Sequence, residues 1–144
     1  MQNFIVKTFR PEVSIQDPHF FILNKGYNSG KPLTEPCPNC FTIICSSESQ
    51  KEHLYWIAFC LWQLKRFHPL LKGSVIVFIS ISDLRSILQQ SSAKIYDSHF
   101  STFQSHLQNL QKLEEAEVHL QKKIKLIGEL KKSLLHQCLN PVEK

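Results

Sequence analysis

Cys37-Pro38-Asn39-Cys40 is the spacing in this chain best able to do chemistry. Two thiols separated by two residues can form half of a tetrahedral zinc site, or can exchange disulfides if the first stands at a helix N-terminus. Zinc needs two further ligands. Cys45 and His53 are the nearest candidates, but the pattern puts Cys45 in a strand and His53 in a buried-looking helix. Disulfide exchange wants a helix after the motif, and Phe41-Thr42-Ile43-Ile44 reads as a strand instead. A structural role for Cys37 and Cys40 is expected, with a small zinc-binding domain as an alternative and no other cofactor.

Gly26-Tyr27-Asn28-Ser29-Gly30-Lys31-Pro32 has the composition of a phosphate loop without its spacing. A Walker loop needs four residues between its glycines and Ser or Thr after the lysine. Proline after Lys31 also removes an amide where a helix would begin. What remains is Lys25, Tyr27, Asn28, Ser29 and Lys31 on one turn. Such a turn suits contact with a nucleic-acid backbone or base edge; the plainer alternative is a tight β-turn with solvated lysines. Lys65, Arg66, Lys72 and Arg85 would add attraction for phosphate.

No nucleophile, base and orienting group stand out together. His99, His106, His119 and His136 fall along the last predicted helix, where solvated positions are expected. The body's acids are Glu12, Asp17, Glu35, Glu48, Glu52 and Asp83, too few and too scattered for a hydrolase or nuclease centre. Asp83 reads as part of a helix cap rather than a base. The expectation is a protein that is not an enzyme.

The elements that must position these residues form an α+β body. Phe4–Phe9, Phe20–Leu23 and Phe41–Cys45 read as strands, and residues 24–39 as an ordered loop. Ser47 or Ser49 can cap a helix running to about Phe67, stopped by His68-Pro69. Its middle, Leu54 to Trp62, is apolar on nearly every side, so it should be buried on more than one face. Ser74–Ile81 predicts a further strand, opened by Gly73. Ser82-Asp83 predicts the cap of a short helix near Leu84–Leu88, and Ser91-Ser92 a joint. Together these predict a small mixed sheet packed around one buried helix.

The last helix should start near Ser98 or Ser101. Leu113, Leu120, Ile127 and Leu134 recur every seven residues, with Leu110, Ile124 and Cys138 on the companion seam. Glu117 and Lys131 interrupt that seam. Roughly four heptads predict a coiled coil. Its interface residues would be Leu110, Leu113, Leu120, Ile124, Ile127 and Leu134, and antiparallel pairing would let Glu117 approach Lys131. Ser101 to Leu139 would extend about 60 Å, against about 25–30 Å for a body of that size. The expected division is residues 1–95 for the body and 96–144 for a helix that dimerises or docks.

Up to Ile95 there are ten Lys and Arg against six Asp and Glu, so a polyanion would meet the body first. Met1 to Phe9 lacks the features of a secretory leader. Leu54 to Leu64 is about half of a bilayer span, so no membrane partner is expected. Five cysteines without framework spacing fit reduced thiols and a cytoplasmic protein.

Phe20 to Pro32, and Lys72 to Ile87 leading into the long helix, resemble half of a type I restriction–modification specificity subunit. In that family a glycine-bearing loop follows a strand, a "GS…IS…DL…I" segment follows a helix, and a coiled-coil helix leaves the module. The family has two recognition modules and two helices; here there is one of each, and the proline-rich segment before the helix is missing. The chain is similar also to small proteins of bacterial mobile elements. The resemblance implies a DNA-recognition or DNA-processing accessory protein whose helix dimerises or docks on a protein partner. A pure protein-interaction module, an inhibitor or decoy acting through the helix, is the alternative.

Overall fold

The computed structural model describes residues 3–141. The chain divides into two compact units after Phe100.

In the first unit, β1 (Ile5–Thr8), β2 (His19–Leu23), β3 (Pro32–Leu33) and β4 (Cys40–Ile44) form one sheet in the order β1-β4-β2-β3. Every pairing is antiparallel. The expected mixed sheet would have needed a strand after the following helix, and that strand does not form. Register places Val6, Ile43 and Phe20 side by side across three strands, and all three are buried. Thr42 and Phe21 share the opposite face with Lys7, where Phe9 meets Phe21 edge-on at 5.6 Å.

Helix α1 (Glu48–Gln63) starts at Ser47, whose hydroxyl accepts the Gln50 amide at 3.1 Å. Gln50, Leu54, Ile57 and Ala58 are buried, a spacing of four, three and one that defines one helical face. The other apolar residues do not vanish into the core. Tyr55, Trp56, Phe59 and Trp62 stay half-buried and touch in sequence, edge to face, at 5.2–5.9 Å.

The helix ends four residues before Phe67. The Lys65 amide donates to Trp62 O at 2.9 Å and the Arg66 amide to Leu61 O at 2.8 Å, with Lys65 left-handed at φ 55°. This is a Schellman stop, normally built on glycine. Lysine in that role carries no stop signal in a sequence.

The predicted strand at Ser74–Ile81 is a loop. Lys72 and Phe78 exchange backbone hydrogen bonds at 2.8 and 2.9 Å, closing residues 73–77 into a protrusion. Val75 is 93% exposed, while Ile79 is buried. The β-branched run favours extended backbone, but it pairs only through the isolated bridges of Phe78 to Lys25 and Lys72.

Helix α2 (Ile81–Ser98) is also longer than its expected single turn. Ser80, not Ser82-Asp83, is its N-cap. The Ser80 hydroxyl accepts the Asp83 amide at 3.2 Å and donates to the Asp83 carboxylate at 2.6 Å. Leu84 and Leu88 anchor the helix in the core, and Ser91-Ser92 continue it because their neighbours keep the helical period.

Helix α3 (Phe100–Leu139) follows a one-residue interruption at His99 and makes up nearly all of the second unit's described structure. Leu107 is buried and Leu110 half-buried, but from Leu113 onward the large apolar residues are exposed.

Candidate nucleic-acid interface

The loop joining β2 to β3 is built by its glycines and Ser29. Gly26 and Gly30 have φ of 86° and 97°, open to glycine and strained for other residues. A methyl at Gly30 would collide with the Phe67 ring, so glycine lets the loop lie directly on the turn after α1. Ser29 closes the inside. Its amide and hydroxyl both donate to Gly26 O, at 3.0 and 2.6 Å, and the residue is fully buried. It shapes the loop and cannot face a ligand, contrary to its place in the exposed set predicted from sequence. A short hydroxyl between two glycines turns inward because that satisfies the turn's carbonyl.

A second loop is stitched to the first. The Gly26 amide donates to Val77 O at 2.7 Å and the Ile79 amide to Asn24 O at 3.1 Å. Lys25 bridges Phe78, which in turn bridges Lys72. On the other side Lys31 Nζ lies 5.1 Å from the centre of the Trp62 ring. Three segments therefore adjoin, carrying Lys25, Tyr27, Asn28 and Lys31, then Lys65 and Arg66, then Lys72. All seven are exposed, Tyr27 at 74%.

Two of these cations have partners. Lys31 rests on Trp62, and Lys72 pairs with Asp83 at 2.8 Å. The Lys72 hydrogen bond, followed by that from Ser80, holds the Asp83 carboxyl below its ordinary value. Arg85 does not join the group. Its guanidinium donates to Val6 O at 3.4 Å, on the edge strand opposite β3. Trp62 escapes a reading of the sequence, which places it in the buried middle of α1. Its position in the last turn, beside the helix stop, is the signal that it could serve as a platform.

Cys40 and Cys45 face inward. Cys40 is buried, and its thiol donates to Cys37 O at 3.0 Å while accepting the Cys37 amide at 3.4 Å. Burial raises its pKa and pushes Cys45 up to about 12, so both stay protonated thiols. Among the described residues no three His, Cys, Asp or Glu side chains converge as metal ligands. His53 Nδ1 lies 3.0 Å from the Tyr96 hydroxyl, inside an aromatic contact with Phe100 rather than beside the thiols. Among the described residues nothing completes a zinc site around Cys37 and Cys40, and the two cysteines shape the turn into β4.

On the last helix the six predicted interface positions lie as follows. Leu113, Leu120, Ile124, Ile127 and Leu134 are exposed, and Leu110 is half-buried. Leu126, Leu130, Leu135 and Leu139 are exposed too, so the apolar surface is wider than two heptad seams. No described helix is long and apolar enough to cross a membrane.

Residues 6–137 match DUF6943, a family of unknown function. The chain belongs to that family. The match takes in the sheet, both loops and nearly all of α3, so body and helix are one family unit rather than a domain with an unrelated tail. No curated protein and no solved structure is significantly similar to it.

Proposed function

We propose that this protein is a non-catalytic, cytoplasmic DNA-recognition accessory of the specificity-subunit kind, gripping duplex DNA with its two stitched loops and pairing through α3. One observation carries the reading. Five cations from two separate stretches of sequence, Lys25 and Lys31, then Lys65, Arg66 and Lys72, are brought onto adjoining segments, around an exposed tyrosine and asparagine. Cations give phosphate attraction, Asn28 can hydrogen-bond a base edge, and the Tyr27 ring can stack.

The test is titration of labelled duplex DNA with the full chain at several salt concentrations. If Lys25, Lys31, Lys65 and Arg66 each neutralise a phosphate, the slope of log K against log salt is about −3.6. Affinity then falls roughly 150-fold between 50 and 200 mM salt. Lys25→Ala should lower the slope by about one phosphate. Arg85→Ala, off the interface, should leave it unchanged. No binding at 50 mM salt, or equal slopes for wild type and Lys25→Ala, refutes the reading.

A pure protein-interaction module has its own support in the exposed stripe of α3. It predicts association through the helix and no affinity for DNA.

A further inference from the structure

We infer that α3 pairs with α3 of a second copy of this chain, antiparallel, in one register that overlays the exposed stripe on itself. This deepens the pairing half of the function proposed above and rests on it, but not on DNA binding.

The exposed stripe begins at Leu113 and continues to Leu139. Its seams alternate Leu113, Glu117, Leu120, Ile124, Ile127, Lys131, Leu134 and Cys138. Helices that pair in parallel and in register set each layer against itself. Glu117 would meet Glu117 and Lys131 would meet Lys131, two like-charge layers in an otherwise apolar seam. Each would have to leave water without an opposite charge, which is costly.

Reversing one helix removes both conflicts. With the midpoint between Lys125 and Leu126, Leu113 faces Cys138 of the second copy, Glu117 faces Leu134, Leu120 faces Lys131 and Ile124 faces Ile127. Each Glu117 then lies about three residues along the axis from the other copy's Lys131, roughly 4.5 Å at the standard helical rise. Both side chains can span that. The same register matches the ends of the exposed stretch, since its first and last seam residues become partners. About 26 residues overlap, or roughly 39 Å of paired helix.

Opposite charges in the seam and matched ends both select the second copy over an unrelated helix, which would have to reproduce the same order of charges. The pairing is symmetric, the usual geometry of homodimers.

Cys138 makes the orientation readable, because it is exposed and unbridged. The full chain should have twice its 16.8 kDa mass in light scattering. Under diamide, wild type should give little cross-linked dimer, since Cys138 meets Leu113. Leu113→Cys, a change at an exposed position, should cross-link rapidly to Cys138 and stop doing so when Cys138→Ala is added. Glu117→Lys alone and Lys131→Glu alone should each weaken association about tenfold, a change of about 1.4 kcal/mol. The double exchange should return it to within about threefold of wild type.

A monomer at tens of micromolar, efficient Cys138–Cys138 cross-linking in wild type, or no rescue by the double exchange would each overturn the antiparallel pair. None of these outcomes depends on DNA affinity, so the two proposals can fail separately.

Discussion

Lys65 offers a direct test of whether the basic loops are there for binding rather than for folding. It occupies the left-handed position of the helix stop, at φ 55°, and it is exposed. A residue with a Cβ costs about 1–2 kcal/mol there. Glycine avoids that cost but gives up about 0.5–1 kcal/mol of chain entropy on folding. Lys65→Gly should therefore stabilise the protein by roughly 0.5–1 kcal/mol, with the two stop hydrogen bonds intact. Urea unfolding followed by tryptophan fluorescence reads this as a higher midpoint at constant slope, with Trp62 three residues away as one reporter. The same variant should bind DNA more weakly and with a salt slope lower by about 0.9. Stability and affinity moving in opposite directions is the signature of a strained residue kept for its charge. A variant that is more stable and binds with unchanged affinity and slope would refute that account.

Two further predictions concern how the loops are held. Gly30→Ala combines a left-handed backbone with a collision against Phe67, whereas Gly26→Ala has the left-handed backbone and open space. Gly30→Ala should thus cost about 1–3 kcal/mol more in urea unfolding, and Phe67→Leu should relieve part of the excess; equal costs would mean the loop does not rest on that ring. Ser80→Ala removes the N-cap of α2 and should cost about 1 kcal/mol. Because Asp83 is depressed when folded, its contribution is present above the ordinary aspartate value near 3.9 and lost as pH falls through the lower folded value. Asp83→Asn should therefore lower stability at pH 7 and have little effect near pH 2, measured by thermal unfolding at both.

Much of the fold was legible because it rests on short-range rules. Short apolar runs marked β1, β2 and β4, a serine at 47 or 49 marked the start of α1, and the seven-residue recurrence marked α3. The failures share one cause. Ser74–Ile81 has the side chains of a strand, but joining a sheet needs a free partner edge, and that is decided by the whole arrangement. Lys65 ends α1 with a conformation that only neighbouring carbonyls stabilise. Of the candidate site, residue types told which side chains could attract phosphate but not which would be brought together. Ser29 turned inward to satisfy Gly26, and Arg85 reached the Val6 carbonyl, so both left the group for hydrogen bonds that sequence spacing does not reveal.

The sheet's borders have a bearing on how copies can meet. One border, β3, is two residues long and begins with Pro32, which has no amide hydrogen to offer a neighbour. The other, β1, has four residues, and Arg85 already occupies the Val6 carbonyl. Both borders are poor templates for an added strand, which works against growth along the sheet. Side-chain packing, rather than a backbone ladder, is then the favoured way for one molecule to hold another.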